Sequence, residues 1–298
     1  MPVVEVRGLV KTYGELTAVG GVDLRIEAGE VFALLGPNGA GKTTTVEILE
    51  GHRNADGGDV SVLGHDPATG GRDLRERIGI VLQDGAVERE LSVREALETY
   101  GSMYPRRLPA GELIEMVGLG EKADARIKTL SGGQQRRLEL ALGLVGDPDL
   151  LFLDEPTTGF DPSARRQAWA VLERLTDLGK TILLTTHYMD EAQHLADRIA
   201  VIDHGRIVAE GTPDTLGGRH DGAVVIRFAV PADSDVSSIP GEGLRKSGNG
   251  TLELTTDSPT RALNDLTSWA LSRGIELERL ELTRPSLEDV YLELTGDD

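Results

Sequence analysis

The sequence predicts an α/β fold, in which helices alternate with the strands of a largely parallel sheet, followed by a small α+β domain. Two observations carry the first part. Val31 to Leu35, Ile78 to Leu82, Leu150 to Leu153 and Thr181 to Thr186 read as strands buried on both faces. Segments of helical periodicity lie between them. A third observation marks the second domain. After about residue 215, Gly217-Gly218 and the Asp/Ser/Pro/Gly-rich stretch from Pro231 to Gly243 break the pattern.

Taken in order, Val22, Leu24 and Ile26 alternate with Asp23, Arg25 and Glu27, the period of a half-buried strand. Ala28-Gly29-Glu30 turns the chain into Val31 to Leu35, and Thr44 to Glu50 reads as a helix. Residues 88–147 contain no convincing buried strand and are expected to form a helical insertion. Within it Leu138, Ala141, Leu142 and Val145 share one face behind a polar Gln135-Arg136-Arg137 face. Ala168, Val171, Leu172 and Leu175 repeat that spacing. Ile199 to Ile202, His204-Gly205 and Arg206 to Ala209 read as a closing hairpin. The tail offers strands at Ala223 to Val230, Thr251 to Thr255 and Ile275 to Leu282. Helices are expected from Pro259 to Ser272 and from Ser286 to Leu294.

Composition limits what such a fold can do. Lys and Arg number 31 against 50 Asp and Glu, a formal charge of −19, and aromatics make up 4% of the 298 residues. That surface repels phosphate backbones and lacks a base-stacking platform, so no nucleic-acid partner is expected. The absence of cysteine excludes disulfides, thiolate metal sites and cysteine nucleophiles. The N-terminus lacks the pattern of a secretory signal, and the apolar runs are far shorter than the roughly 20 residues that span a bilayer. The chain is expected to be soluble, and phosphate binding would need a local device.

That device is present. Gly36-Pro37-Asn38-Gly39-Ala40-Gly41-Lys42-Thr43 fits G-x-x-x-x-G-K-[ST] between a buried strand and a helix. Its glycines let backbone N–H groups surround phosphate oxygens, and the helix N-terminus adds partial positive charge. Lys42 is expected to reach the β- and γ-phosphates, and the Thr43 hydroxyl to ligate Mg²⁺.

Ligands of parallel sheets sit beyond the carboxyl ends of the strands, and three other strands end in polar residues there: Gln83, Asp154-Glu155 and His187. Asp154 is placed to serve Mg²⁺, directly or through water, and Glu155 to accept a proton from an attacking water. The pair could instead simply cap a loop. Gln83 could orient water or touch the metal, and could equally be structural; His187 could hold the γ-phosphate and the water, although a histidine after a strand, taken alone, is more often structural.

Leu130-Ser131-Gly132-Gly133-Gln134, with the P-loop upstream and Leu151-Phe152-Leu153-Asp154-Glu155-Pro156 downstream, resembles the ATP-binding-cassette (ABC) ATPases over residues 3–215. The resemblance implies a P-loop NTPase core with an antiparallel β subdomain and a helical subdomain. It implies that Tyr13 stacks on adenine, that Gly36 to Thr43 and Thr44 hold ATP, and that Gln83 and His187 are the Q-loop and switch residues. Ser131 to Gln134 match the signature and Thr157 to Asp161 the D-loop, with Phe160 where leucine is usual. In this family the signature completes a site on a second cassette, so one copy of each motif implies a dimer of identical or paralogous subunits. Asp161-Pro162 also reads as a helix N-cap followed by proline at the first helical position.

Arg284-Pro285-Ser286-Leu287-Glu288-Asp289-Val290-Tyr291-Leu292 resembles the end of ABC-2-type exporter ATPases, including daunorubicin-resistance ATPases. The function implied is ATP hydrolysis on the cytoplasmic face of the membrane, driving export through separate integral permease subunits. The domains expected are an ATP-binding domain over 1–215 and an accessory domain over 216–298. A soluble ABC ATPase acting on ribosomes or DNA is the alternative; the single cassette, the absence of sustained heptads and the negative charge weigh against it.

Overall fold

The computed structural model describes residues 2–81, 87–218, 224–231, 236–241, 244–246, 251–283 and 286–296. The chain divides into two compact units, Met1–Pro213 and Asp214–Asp298.

The first unit opens with two long strands, β1 (Pro2–Tyr13) and β2 (Leu16–Glu27), and continues through β3 (Val31–Leu35) into helix α1 (Lys42–Leu49). β4 (Gly57–Val62), α2 (Gly71–Arg75) and β5 (Ile78–Val81) follow. Three helices come next, α3 (Val93–Gly101), α4 (Ala110–Met116) and α5 (Gly132–Leu144). β6 (Leu150–Asp154), α6 (Pro162–Asp177), β7 (Thr181–Thr186), α7 (Met189–Leu195), β8 (Arg198–Asp203) and β9 (Arg206–Gly211) complete the unit.

β1, β2 and β4 form an antiparallel sheet in the order β2-β1-β4. The second sheet runs β5-β6-β7-β3-β8-β9, parallel except for the final β8-β9 hairpin. Every residue of β3 and β7 is buried, as expected of strands covered on both faces. On β2, Val22, Leu24 and Ile26 are buried while Asp23 and Arg25 are exposed. Helix α1 has only eight residues, too few to hold on propensity alone. Its Val46, Ile48 and Leu49 share one apolar core with Val4, Leu9 and Val22 of the antiparallel sheet and with Phe32, Leu34 and Phe152 of the parallel one. Burying side chains of this size contributes about 1.5–3 kcal/mol each, which fixes the helix beneath the loop that precedes it.

The crossover from β5 to β6, neighbours in the sheet, is made by the segment that carries α3, α4 and α5. Arg106 of this segment pairs with Asp147 at 3.2 Å and Asp149 at 2.8 Å, just before β6.

In the second unit, β10 (Val224–Ala229), β11 (Arg245–Lys246), β12 (Thr251–Thr256) and β13 (Glu278–Thr283) form an antiparallel sheet in the order β11-β12-β10-β13. Helix α8 (Pro259–Ser272) places Leu266, Trp269 and Ala270 against Ile226, Phe228, Leu252 and Leu254 of this sheet. Helix α9 (Leu287–Thr295) is opened by a capping box in which Ser286 and Asp289 bond reciprocally; Arg284 and Pro285 lie outside the described residues.

Several sequence-based boundaries shift. The second expected parallel strand ends at Val81, with Leu82 outside the described residues, and β13 begins at Glu278 rather than Ile275. β4 and β11 were not expected: the glycine and charge content of Gly57–Val62 hides a strand that pairs along β1. Ile239, in the stretch expected to be a linker, is a buried member of the second core. Arg136, assigned to a polar face, is buried because α5 packs on more than one side.

Candidate functional site

Gly36 to Thr43 leaves the end of β3 and folds back over α1. At Gly41 φ is +105°, and a Cβ there would lie 2.5 Å from the Ala18 carbonyl oxygen. At Gly36 a Cβ would come within 2.2 Å of the Ile202 carbonyl oxygen. Both contacts are with backbone that cannot swing aside, so the loop takes this path only with glycine. Lys42 is buried and its Nζ donates to the Gly36 oxygen at 2.6 Å and the Pro37 oxygen at 3.0 Å. It therefore ties both ends of the first turn together. Burial lowers its pKa, and the carboxylates of Glu155 and Asp154 act in the opposite direction.

The loop lines a cavity of about 350 Å³ that also receives Thr43, Thr44, Asp154 and Glu155, with Tyr13 and Leu16 at its mouth. Tyr13 is 40% exposed, leaving ring surface for a flat ligand. The Arg53 guanidinium lies 5.5 Å and the Lys11 ammonium 5.7 Å from its centroid.

Asp154 and Glu155 end β6. Asp154 accepts a hydrogen bond from the Thr185 hydroxyl on the adjacent β7. Glu155 has φ +46°, a left-handed conformation unfavourable for a residue with a Cβ. Its carboxylate is gripped from two sides: Thr158 Oγ1 donates to Oε2 at 3.0 Å, and His187 Nδ1 lies 3.0 Å from Oε1. A carboxylate oxygen accepts, so this contact calls for the imidazole tautomer with its proton on Nδ1. Glu155 also lines a second cleft of about 340 Å³, bounded by Gly132 and Gly133 on one side and Thr158 to Phe160 on the other.

Ser131 caps α5, which begins at Gly132; Ser131 and Gln134 form a reciprocal capping box. A Cβ on Gly132 would meet nothing within 4 Å, and one on Gly133 only Ala164 Cβ at 3.9 Å. The fold itself does not require glycine at either position. The Asp161 side chain accepts from the N–H groups of Ser163 and Ala164, both at 2.8 Å, with Pro162 at the first position of α6. Loss of such a cap costs about 1 kcal/mol, so Asp161→Ala is expected to lower unfolding stability by that amount in chemical denaturation.

The structure thus brings together Lys42, Thr43, Thr44, Asp154, Glu155 and His187. Gln83 lies outside the described residues. Sequence reasoning missed Arg136, which donates to the carbonyl oxygens of Pro156 at 3.2 Å, Asp154 at 2.9 Å and Glu155 at 3.2 Å. Its signal was present but ambiguous: Arg136 stands four residues before the buried Leu140. Glu50, which closes α1, was also missed; burial, with the Asp154 and Glu47 carboxylates adding to it, pushes its pKa up to about 8.

Thr43 and Asp154 offer hard oxygen donors, and no group of three or more His, Cys, Asp or Glu suited to a metal occurs among the described residues. Such a donor set fits Mg²⁺ held through one or two protein oxygens, the remainder coming from phosphate and water.

Comparison with known proteins agrees with this geometry. Residues 19–158 match the ABC transporter family, and residues 224–286 match the C-terminal domain of ABC transporter domain-containing-like proteins. The chain is 42% identical to the daunorubicin/doxorubicin resistance ATP-binding protein DrrA of Streptomyces peucetius, over 98% of this chain and 92% of that one. It is also 42% identical to the Nod factor export ATP-binding protein I of Rhizobium sp. strain N33, over 98% and 97%. Among solved structures, cbiO1 of Clostridium perfringens, part of an ABC transporter complex, matches with a TM-score of 0.64 at 31% identity, covering 72% of this chain and 89% of that one. The cassette MJ0796, dimeric and bound to ADP and Pi, matches with a TM-score of 0.63 at 27% identity, covering 70% and 98%. No helix among the described residues is long and apolar enough to cross a membrane. With a phosphate cradle, a strand-end carboxylate pair and relatives matched along almost its whole length, the chain belongs to the ABC transporter family as an ATP-hydrolysing subunit of the exporter type.

Proposed function

We propose that residues 1–215 bind and hydrolyse ATP at the carboxyl ends of β3, β6 and β7, and that this drives export through separate integral permease subunits. Residues 216–298 form an accessory domain. The carrying observation is that Lys42, Asp154 and Glu155 line one cavity while Glu155 also borders the signature cleft.

In this reading Tyr13 stacks on adenine, residues 36–44 hold the phosphates, and Lys42 contacts the β- and γ-phosphates. Mg²⁺, when bound through Thr43 and Asp154, neutralises phosphate charge. Glu155 accepts a proton as a water oxygen bonds to the γ-phosphorus, the bond to the β–γ bridging oxygen breaks, and ADP and phosphate leave. A positioned general base contributes about 10²–10⁴ in rate. Both oxygens of Glu155 are already held, so little reorientation is needed.

Ser131 to Gln134 face the γ-phosphate held by a second subunit, identical or paralogous. The open space around Gly132 and Gly133 supports this: glycine weakens a helix, and a close approach by an external anion accounts for it. The complex sits peripherally on the cytoplasmic face of the membrane. Glu155→Gln at saturating ATP is expected to double in mass by light scattering. A species that stays monomeric overturns the paired site, and co-purification from membranes identifies the permease.

A further inference from the structure

Arg136 stands in the second turn of α5 and is buried although it carries a charge. Burying a charge is costly unless it is paired and hydrogen-bonded. Here the pairing is specific. Nη1 meets Glu139 of the same helix at 2.9 Å. On its other side the guanidinium reaches across to the end of β6: Nη2 donates to the Asp154 oxygen at 2.9 Å and the Glu155 oxygen at 3.2 Å, and Nε to the Pro156 oxygen at 3.2 Å. One side chain thus holds three consecutive carbonyls that belong to another element.

Those carbonyls frame Glu155. β6 is paired to β7 as far as Asp154, and beyond it the backbone turns out of the sheet. Glu155 does so at φ +46°, a conformation that a residue with a Cβ keeps only where its surroundings over-determine it. Its N–H donates to the Thr185 oxygen at 3.0 Å, and its own oxygen accepts from the Thr158 N–H at 3.2 Å as well as from Arg136. Arg136 therefore grips the backbone from which the carboxylate is aimed, whereas Thr158 Oγ1 and His187 grip the carboxylate itself. An apolar side chain would fill the same space but deprive these buried carbonyls of their donor. A lysine would offer one compact ammonium where a planar fork spans three oxygens.

We propose that Arg136 is a positioning residue for ATP hydrolysis: from α5 it holds the turn from Asp154 to Pro156 and thereby keeps Glu155 aimed at the attacking water. The phosphate cradle lies at β3 and α1, so Arg136 governs turnover and not ATP binding. This inference rests on the assignment of Glu155 as the base.

The experiment measures kcat, KM and equilibrium ATP affinity on the purified full-length chain. Arg136→Ala is expected to lower kcat on the order of tenfold or more, with KM and ATP affinity within about twofold of the parent. Arg136→Lys keeps the charge but not the fork, and is expected to recover only a minor part of the rate. Added to Glu155→Gln, Arg136→Ala is expected to cost less than about twofold in residual turnover, because changes that act through one group do not multiply. If Arg136→Ala does not fold, Arg136→Lys takes its place in both measurements. A folded Arg136→Ala with kcat within about twofold of the parent, a parallel loss of kcat and ATP affinity, full activity in Arg136→Lys, or a multiplicative loss in the double variant would overturn the proposal. Glu155→Gln alone separates the two levels: normal turnover in that variant removes the base assignment itself, whereas a slow Glu155→Gln beside a fully active Arg136→Ala removes only the role of Arg136.

Discussion

Glu155→Gln is expected to bind ATP within about threefold of the parent affinity while its steady-state turnover falls by about two to three orders of magnitude. The amide keeps the size of the carboxylate and preserves an acceptor for Thr158 Oγ1, so the cavity wall stays in place. What is lost is the group that takes a proton from water at neutral pH. A fluorescent-nucleotide titration and a phosphate-release assay on the same preparation separate the two quantities. Turnover within threefold of the parent would remove Glu155 from the role of general base.

Lys42→Ala is expected to act at the earlier step and weaken ATP binding by about tenfold to several-hundredfold. A charge-assisted hydrogen bond contributes about 1.5–3 kcal/mol, and that is the direct loss at the phosphates. The carbonyls of Gly36 and Pro37 also lose their shared donor, so the loop itself is loosened. Lys42→Arg is not a conservative control, because a planar guanidinium does not fit the compact position of a buried ammonium. Isothermal titration with ATP checks the result; parent-like affinity in a folded Lys42→Ala would refute the assignment of the cradle.

The parts of this site that could be read from sequence are those in which local chemistry and position in the chain coincide. The loop from Gly36 to Thr43 joins a strand to a helix, and its glycines answer to local backbone geometry. Asp154-Glu155 ends a strand whose apolar run is unmistakable. Arg136 and Glu191 bond instead to partners 18 to 22 positions away, Asp154 to Pro156 for the first and Trp169 for the second. No local pattern distinguishes them from solvent-facing charges on an amphipathic helix. β4 escaped for a related reason: Gly57–Val62 has little apolar content and becomes a strand by pairing with β1. Boundaries in the second unit were harder to place, because polar residues alternate there with short apolar stretches and loop composition shades into strand composition.

The helical insertion leaves the parallel sheet after β5 and returns at β6, its immediate neighbour. Both points of attachment therefore lie side by side at one margin of the sheet, and α3 to α5 hang from it as a door hangs from a single post. Turning that door breaks no ladder between strands, but it has to release Arg136 of α5 from the carbonyl oxygens of Asp154, Glu155 and Pro156. The ion pairs of Arg106 with Asp147 and Asp149 add a second tie, between this segment and the chain just before β6. Ser131, at the N-terminus of α5, rides on the swinging leaf, whereas Glu155 stays with the post.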